Sequence, residues 1–166
     1  MNDLSILLVC LLMPQMIGAI NGGLTVRTVK TWYPTIAKPP WNPPPKVFGP
    51  VWVTLYLLMG FAHYRVLRIG WAVDGVAVAV IWYSVQLVLN AAWTPFFFGA
   101  RRIRAALAVL ITMDVAVAVT LVLFWQLDPL AGALLIPYLM WGLFAACLNA
   151  SIVLRNPNHQ SSSRTA

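Results

Sequence analysis

Trp32-Tyr33-Pro34-Thr35-Ile36-Ala37-Lys38-Pro39-Pro40-Trp41-Asn42-Pro43-Pro44-Pro45-Lys46-Val47-Phe48-Gly49-Pro50-Val51-Trp52 is the stretch whose reading decides the fold. Its prolines fix φ and remove backbone donors, so residues 34–45 cannot continue a helix. Its tryptophans and tyrosine leave the segment too aromatic to be an ordinary solvated linker. It runs directly into an apolar stretch of membrane-spanning length. The segment therefore reads as an ordered loop capping something apolar.

The rest of the chain agrees. Of 166 residues, 61% are hydrophobic and only 9% are charged, far below the roughly 25% charged residues of soluble domains. Mean hydropathy is +0.80. A spanning helix needs about 20 apolar residues, and five such runs are present: Leu4 to Leu24, Val47 to Ile69, Trp71 to Phe97, Arg104 to Gln126 and Leu130 to Leu154. The fold class is an all-α membrane protein, a five-helix transmembrane bundle over residues 1–155 with the Pro/Trp loop as its lid. Residues 156–166 read as a polar, disordered tail. Asp3 and the lack of a basic leader argue that the first run is a retained helix.

Net charge is +7. With the bases between apolar runs, they mark topology and do not suggest a nucleic-acid partner. Arg27, Lys30, Lys38 and Lys46 fall around the first loop, Arg101, Arg102 and Arg104 in the third, and Arg155 and Arg164 at the C-terminus. Arg65 and Arg68 lie on the opposite side with Asp3, Asp74 and Asp128. The first loop, third loop and C-terminus are thus expected in the cytoplasm. The Arg101–Arg104 cluster reads as a topology marker or as an anion or lipid site. Trp71, Trp93 and Trp125 stand near expected helix ends, where interfacial anchoring is the default. Cys10 and Cys147 read as small buried hydrophobes; no metal set is visible.

Polar residues inside a span point toward the bundle interior. Trp52, Tyr56, Met59 and His63 share one face of the second helix. Tyr83, Gln86, Asn90 and Trp93 share one face of the third, and Tyr138, Trp141, Ala145 and Leu148 one of the fifth. Three stripes of aromatic and polar groups fit either interhelical hydrogen bonding or the walls of a cavity for a planar, apolar guest. By position, Trp52 and Asn90 lie near the basic end and Trp141 nearer mid-membrane. Asp114 is the acid well inside a span, read either as a proton-handling group or as a structural hydrogen-bonding one. His63 reads as a pH-sensitive group or as plain packing. Gly18 and Gly22 on the first helix, and Gly75 and Ala79 on the third, permit close helix approach, within the chain or in a dimer. Pro14 and Pro137 are candidate kink sites.

These residues carry a resemblance. The chain resembles the translocator protein family, also called tryptophan-rich sensory proteins or peripheral-type benzodiazepine receptors. The matching stretches are Trp32-Tyr33, Lys38-Pro39-x-Trp41-x-Pro43-Pro44, Val47-Phe48-x-x-Val51-Trp52-x-x-Leu55-Tyr56, Asn90-x-x-Trp93-x-Pro95-x-Phe97-Phe98-Gly99, Asp114, Pro137-Tyr138-x-x-Trp141 and Leu148-Asn149. The resemblance implies a five-helix homodimer in a bacterial membrane, or in the mitochondrial outer membrane of a eukaryote. It implies a cavity under the first loop that binds porphyrins, sterols or benzodiazepine-type drugs, with no required cofactor.

Within that resemblance, Trp52, Tyr56, Asn90 and Trp141 match pocket positions, and Trp32, Tyr33 and Trp41 match the lid. Trp52 and Trp141 also match tryptophans linked in the family to light-dependent porphyrin breakdown, which makes enzymatic degradation one alternative function. A regulatory membrane scaffold is another. The chain departs from the family's cholesterol motif, since Ala150 follows Leu148-Asn149 where that motif has Tyr. A bacterial member handling tetrapyrroles is the expectation.

Overall fold

The computed structural model describes residues 2–157. The chain folds into five helices, each long and apolar enough to cross a membrane: α1 Asp3–Thr31, α2 Pro45–Ile69, α3 Val76–Thr94, α4 Ile103–Leu127 and α5 Pro129–Arg155. Among the described residues there is no strand. Helices satisfy their own backbone groups, as a chain in hydrocarbon requires. The expected tail beyond Asn156 lies outside the described residues, apart from Asn156 and Pro157.

Local chemistry sets the helix ends. Asn2 caps α1 by accepting from the Ser5 amide at 2.9 Å. Pro45 opens α2 and Pro129 opens α5, where a missing N–H costs nothing. Asp128 caps α5, accepting from the Leu130 and Ala131 amides at 3.0 and 3.3 Å.

Two helix limits differ from the sequence expectation. The first helix runs past Leu24 to Thr31. Its last turns contain no breaker before Pro34, and Thr25 and Thr31 bond back to the carbonyls of Gly22 and Arg27. Arg27 and Lys30 are therefore helical. The third helix begins at Val76, because Gly70 and Gly75 take positive φ of 98° and 90° and fold residues 70–75 into a turn. It leaves through a π-helical turn, Pro95–Gly99, closed by Ala100 N–H to Pro95 O at 2.7 Å. Helices α1 and α5 continue through Pro14 and Pro137.

Around the bundle the helices neighbour one another in the order α1, α2, α5, α4, α3. At one end Arg65 pairs with Asp128 at 2.6 Å and Arg68 with Asp3 at 3.0 Å. Burial alone would raise the pKa of Asp128, but Arg65 and the two backbone donors hold it below the ordinary carboxylate value. The opposite end carries the first loop, the third loop and the end of α5. There Asn156 bonds Ala37, and Arg104 reaches the Pro157 carbonyl at 3.2 Å.

Two clusters of buried side chains form the core. The larger includes Leu55, Met59, Val66, Tyr83, Phe124 and Tyr138. The smaller, beneath the first loop, joins Trp32, Ile36, Phe97, Ile103, Leu148 and Ile152. Helix α1 buries only Cys10 and Pro14, both in its first half. Gly60 lets α2 touch α1 there, since a Cβ would collide with the Cys10 carbonyl. Beyond Pro14 α1 buries no further residue, although it meets the Tyr56 ring through Gly18 and the π-helical turn near its end. Cys147, expected to be buried, is exposed on α5.

Candidate functional site

The space left by α1 is a cavity of about 580 Å³. Trp52, Tyr56 and Phe48 of α2, Asn90 and Trp93 of α3, Phe97 and Phe98 of the π-turn, and Trp141, Ala145 and Leu148 of α5 form one wall. Gln15, Gly18, Asn21, Gly22, Thr25 and Lys30 of α1 form the other, and Tyr33 of the first loop reaches in from above.

A directional chain of hydrogen bonds makes the floor. The Tyr56 hydroxyl donates to Asn90 Oδ1 at 2.8 Å, and Asn90 Nδ2 donates to the Tyr138 hydroxyl at 2.9 Å. Tyr138 donates to Gln86 Oε1 at 3.1 Å, and Gln86 Nε2 reaches Met59 Sδ at 3.3 Å. Three helices are thereby joined, with each amide's orientation fixed by its neighbours. Tyr138 and Gln86 are almost fully buried and lie one layer below the cavity surface.

Aromatic contacts order the walls. Trp52 lies 5.3 Å from Tyr56 and 6.2 Å from Tyr138 between ring centres. Trp141 packs on Phe48 at 5.9 Å and Phe144 at 5.3 Å. Phe48 stands in the first turn of α2, so Trp141 sits just below the loop, closer to it than its position along the chain implies. Trp93 stacks on Phe97 at 5.1 Å and donates to Asn149 Oδ1 at 3.3 Å. Trp93 is thus a wall residue, unlike the exposed Trp71 and Trp125. Asn149 in turn donates to the Ile103 carbonyl at 3.0 Å.

The loop is fastened from several sides. Trp32 packs edge-on against Phe97 at 5.7 Å under the Arg101 guanidinium. Tyr33 donates to Asn42 Oδ1 at 2.8 Å, and burial raises its pKa above the ordinary phenol value. Lys38 Nζ donates to the Tyr33 and Ile36 carbonyls at 2.7 and 2.8 Å. Trp41, about half exposed, packs against Phe144 at 5.8 Å. Trp32 and Trp41 buttress the lid from outside the cavity lining; Tyr33 is the lid aromatic that lines it.

Of the remaining sequence candidates, Asp114, His63, Gly75 and Ala79 lie outside the cavity lining, while Gly18 and Gly22 belong to its α1 wall. The Asp114 carboxylate is buried and has no hydrogen-bond partner among the described residues. It fills the space over Gly142, where a Cβ would meet Oδ1. His63 stacks on Tyr83 at 4.1 Å, and neither ring nitrogen has a hydrogen-bond partner among the described residues. Gly18 faces the Tyr56 ring, which a Cβ would strike, while Gly22 faces open space. Gly75 caps α3 in the left-handed region, and Ala79 is buried at the far end of the bundle.

Sequence reasoning missed most of the α1 wall, and Phe48, Phe97 and Asn149. Helical spacing extends the stripes to the two phenylalanines: Phe48 is four residues before Trp52, and Phe97 four after Trp93. On α1, Gln15, Gly18, Gly22 and Thr25 recur at offsets of three, four and three. That small, polar stripe reads as close packing, and only the arrangement of the helices shows that it borders the cavity.

Comparison with known proteins agrees with this architecture. The model of the TspO/MBR family matches residues 10–155. The chain is 35% identical over 151 residues to the tryptophan-rich protein TspO of Chlorobaculum tepidum, covering 91% of this chain and 96% of that protein. It is 43% identical over 127 residues to the tryptophan-rich sensory protein of Cereibacter sphaeroides, covering 76% and 78%. It is 45% identical over 119 residues to the human translocator protein, covering 71% and 70%. By sequence match and five-helix architecture, the chain belongs to the TspO/MBR family.

Proposed function

We propose that this multi-pass membrane protein is a receptor or transporter that holds porphyrins, and related apolar ligands such as sterols or benzodiazepine-type drugs, in the cavity under the first loop. The observation that carries the reading is the aromatic-walled cavity of about 580 Å³ above a satisfied polar floor. Small-molecule sites are mostly apolar spaces of roughly 300–1,000 Å³ with a few fixed polar groups. Trp52, Trp93 and Trp141 offer stacking area to a planar guest. The names of the relatives speak of translocation and sensing, which agrees with a ligand-handling role. Under this proposal the basic end faces the cytoplasm, and the protein works as a homodimer.

Titration of the purified protein with protoporphyrin in the dark, followed by tryptophan fluorescence, tests it. Wild type should show saturable quenching. A Trp141→Phe/Asn90→Ala double variant should bind roughly fivefold or more weakly, having lost an indole wall and the floor's central amide. Linear quenching, identical in both proteins, would indicate partitioning into the detergent and remove the proposal.

A further inference from the structure

We infer that Lys30 is the acid-group anchor of this cavity, so the preferred guest has an apolar, planar body and a carboxylate at the rim. The inference rests on the ligand-binding reading and narrows its ligand class.

Lys30 is the one charged side chain lining the cavity among the described residues. It stands in the last turn of α1, three residues before Tyr33, whose ring also lines the wall. Lys38 is engaged by two loop carbonyls, Arg101 lies over the Trp32 ring, and Arg104 bonds the Pro157 carbonyl, while Arg27, Lys46 and Arg102 stand outside the cavity lining. Lys30 forms no ion pair or hydrogen bond among the described residues. No acid stands nearby to take it: Asp3 and Asp128 pair with Arg68 and Arg65 at the opposite end, Asp74 lies in the turn there, and Asp114 is buried beside Gly142.

A lysine stem can lie along an apolar wall while its ammonium stays at the wet rim. A carboxylate arriving there meets an unshared cation, in a field set by several further bases, with the exposed Asp3 and Asp74 at the opposite end. That attraction is stronger beside a low-dielectric wall than in open water. A neutral guest of the same shape gains nothing from it. A phospholipid phosphate offers similar chemistry, so the test separates the two sources.

The full-length protein in zwitterionic nanodiscs, in the dark, is titrated with protoporphyrin and with its dimethyl ester. The proteins compared are wild type, Lys30→Gln, Lys30→Arg and Arg27→Gln, the last a neighbouring cation outside the cavity lining. Wild type should bind the acid roughly threefold or more tightly than the ester. Lys30→Gln should weaken the acid alone and erase the difference, while Lys30→Arg and Arg27→Gln retain it. Saturable ester binding with an acid preference that Lys30→Gln leaves intact overturns the inference and leaves the cavity reading standing. So does a Lys30→Gln variant that keeps the preference but loses co-purifying phosphatidylglycerol, which assigns Lys30 to lipid. Failure of both probes to saturate any of the proteins overturns the inference together with the cavity reading.

Discussion

Gly142 has no side chain, and the Asp114 carboxylate occupies the place its Cβ would take. Helices α4 and α5 approach closely at this point because one residue is missing a methyl group and the other is short. Gly142→Ala should therefore destabilise the bundle by about 1–3 kcal/mol, and Asp114→Ala should relieve much of that cost when combined with it. Thermal unfolding of the four proteins in one detergent checks the pair; strictly additive effects would show that the two residues do not share the space. The sequence marks Asp114 as an interior acid, because a carboxylate in an apolar run has few other places to be. It does not reveal the glycine opposite, since one glycine among many in apolar helices has no local signature. The same limit applies to the Gly18/Gly22 pair, whose members face a tyrosine ring and a void respectively.

Among the elements, the five spans and their interior faces follow from hydropathy and spacing. Tyr56, Asn90, Gln86 and Tyr138 belong to the stripes read from sequence, and they meet in one hydrogen-bonded floor. Helix ends were less legible: α1 extends because threonines and basic residues tolerate the last turns of a helix, and the start of α3 depends on two glycine dihedrals. The loop's fastening was not legible at all. Asn156 accepts from the Ala37 amide at 3.0 Å and donates to the Ala37 carbonyl at 2.9 Å, across 119 residues of chain. It also donates to the Ile152 carbonyl at 2.7 Å, which ties the lid to the end of α5. Asn156→Ala should leave the unfolding temperature nearly unchanged, because the loop's buried anchors Trp32 and Ile36 stay packed, yet speed amide exchange at Ala37 severalfold and raise ligand association and dissociation rates together. Unchanged exchange at Ala37 would show that the other contacts hold the lid alone.

At the scale of the molecule, the cavity is a collective feature. It exists because the first half of α1 packs through Gly60 on α2 while the second half buries no residue, and because the two core clusters leave unfilled space between them. No residue encodes that gap by itself. Its aromatic lining is visible in the sequence, but its volume and its α1 wall emerge only from the arrangement. Gly22 provides the most direct handle on the void, since a Cβ placed there meets nothing within 4 Å. The decisive measurement is dark protoporphyrin binding by a Gly22→Phe variant, with thermal unfolding recorded alongside. The account predicts that the phenyl ring projects into the cavity and blocks saturable binding while the unfolding temperature stays within a few degrees of wild type. Undiminished binding by a well-folded Gly22→Phe protein would place the ligand elsewhere and contradict it.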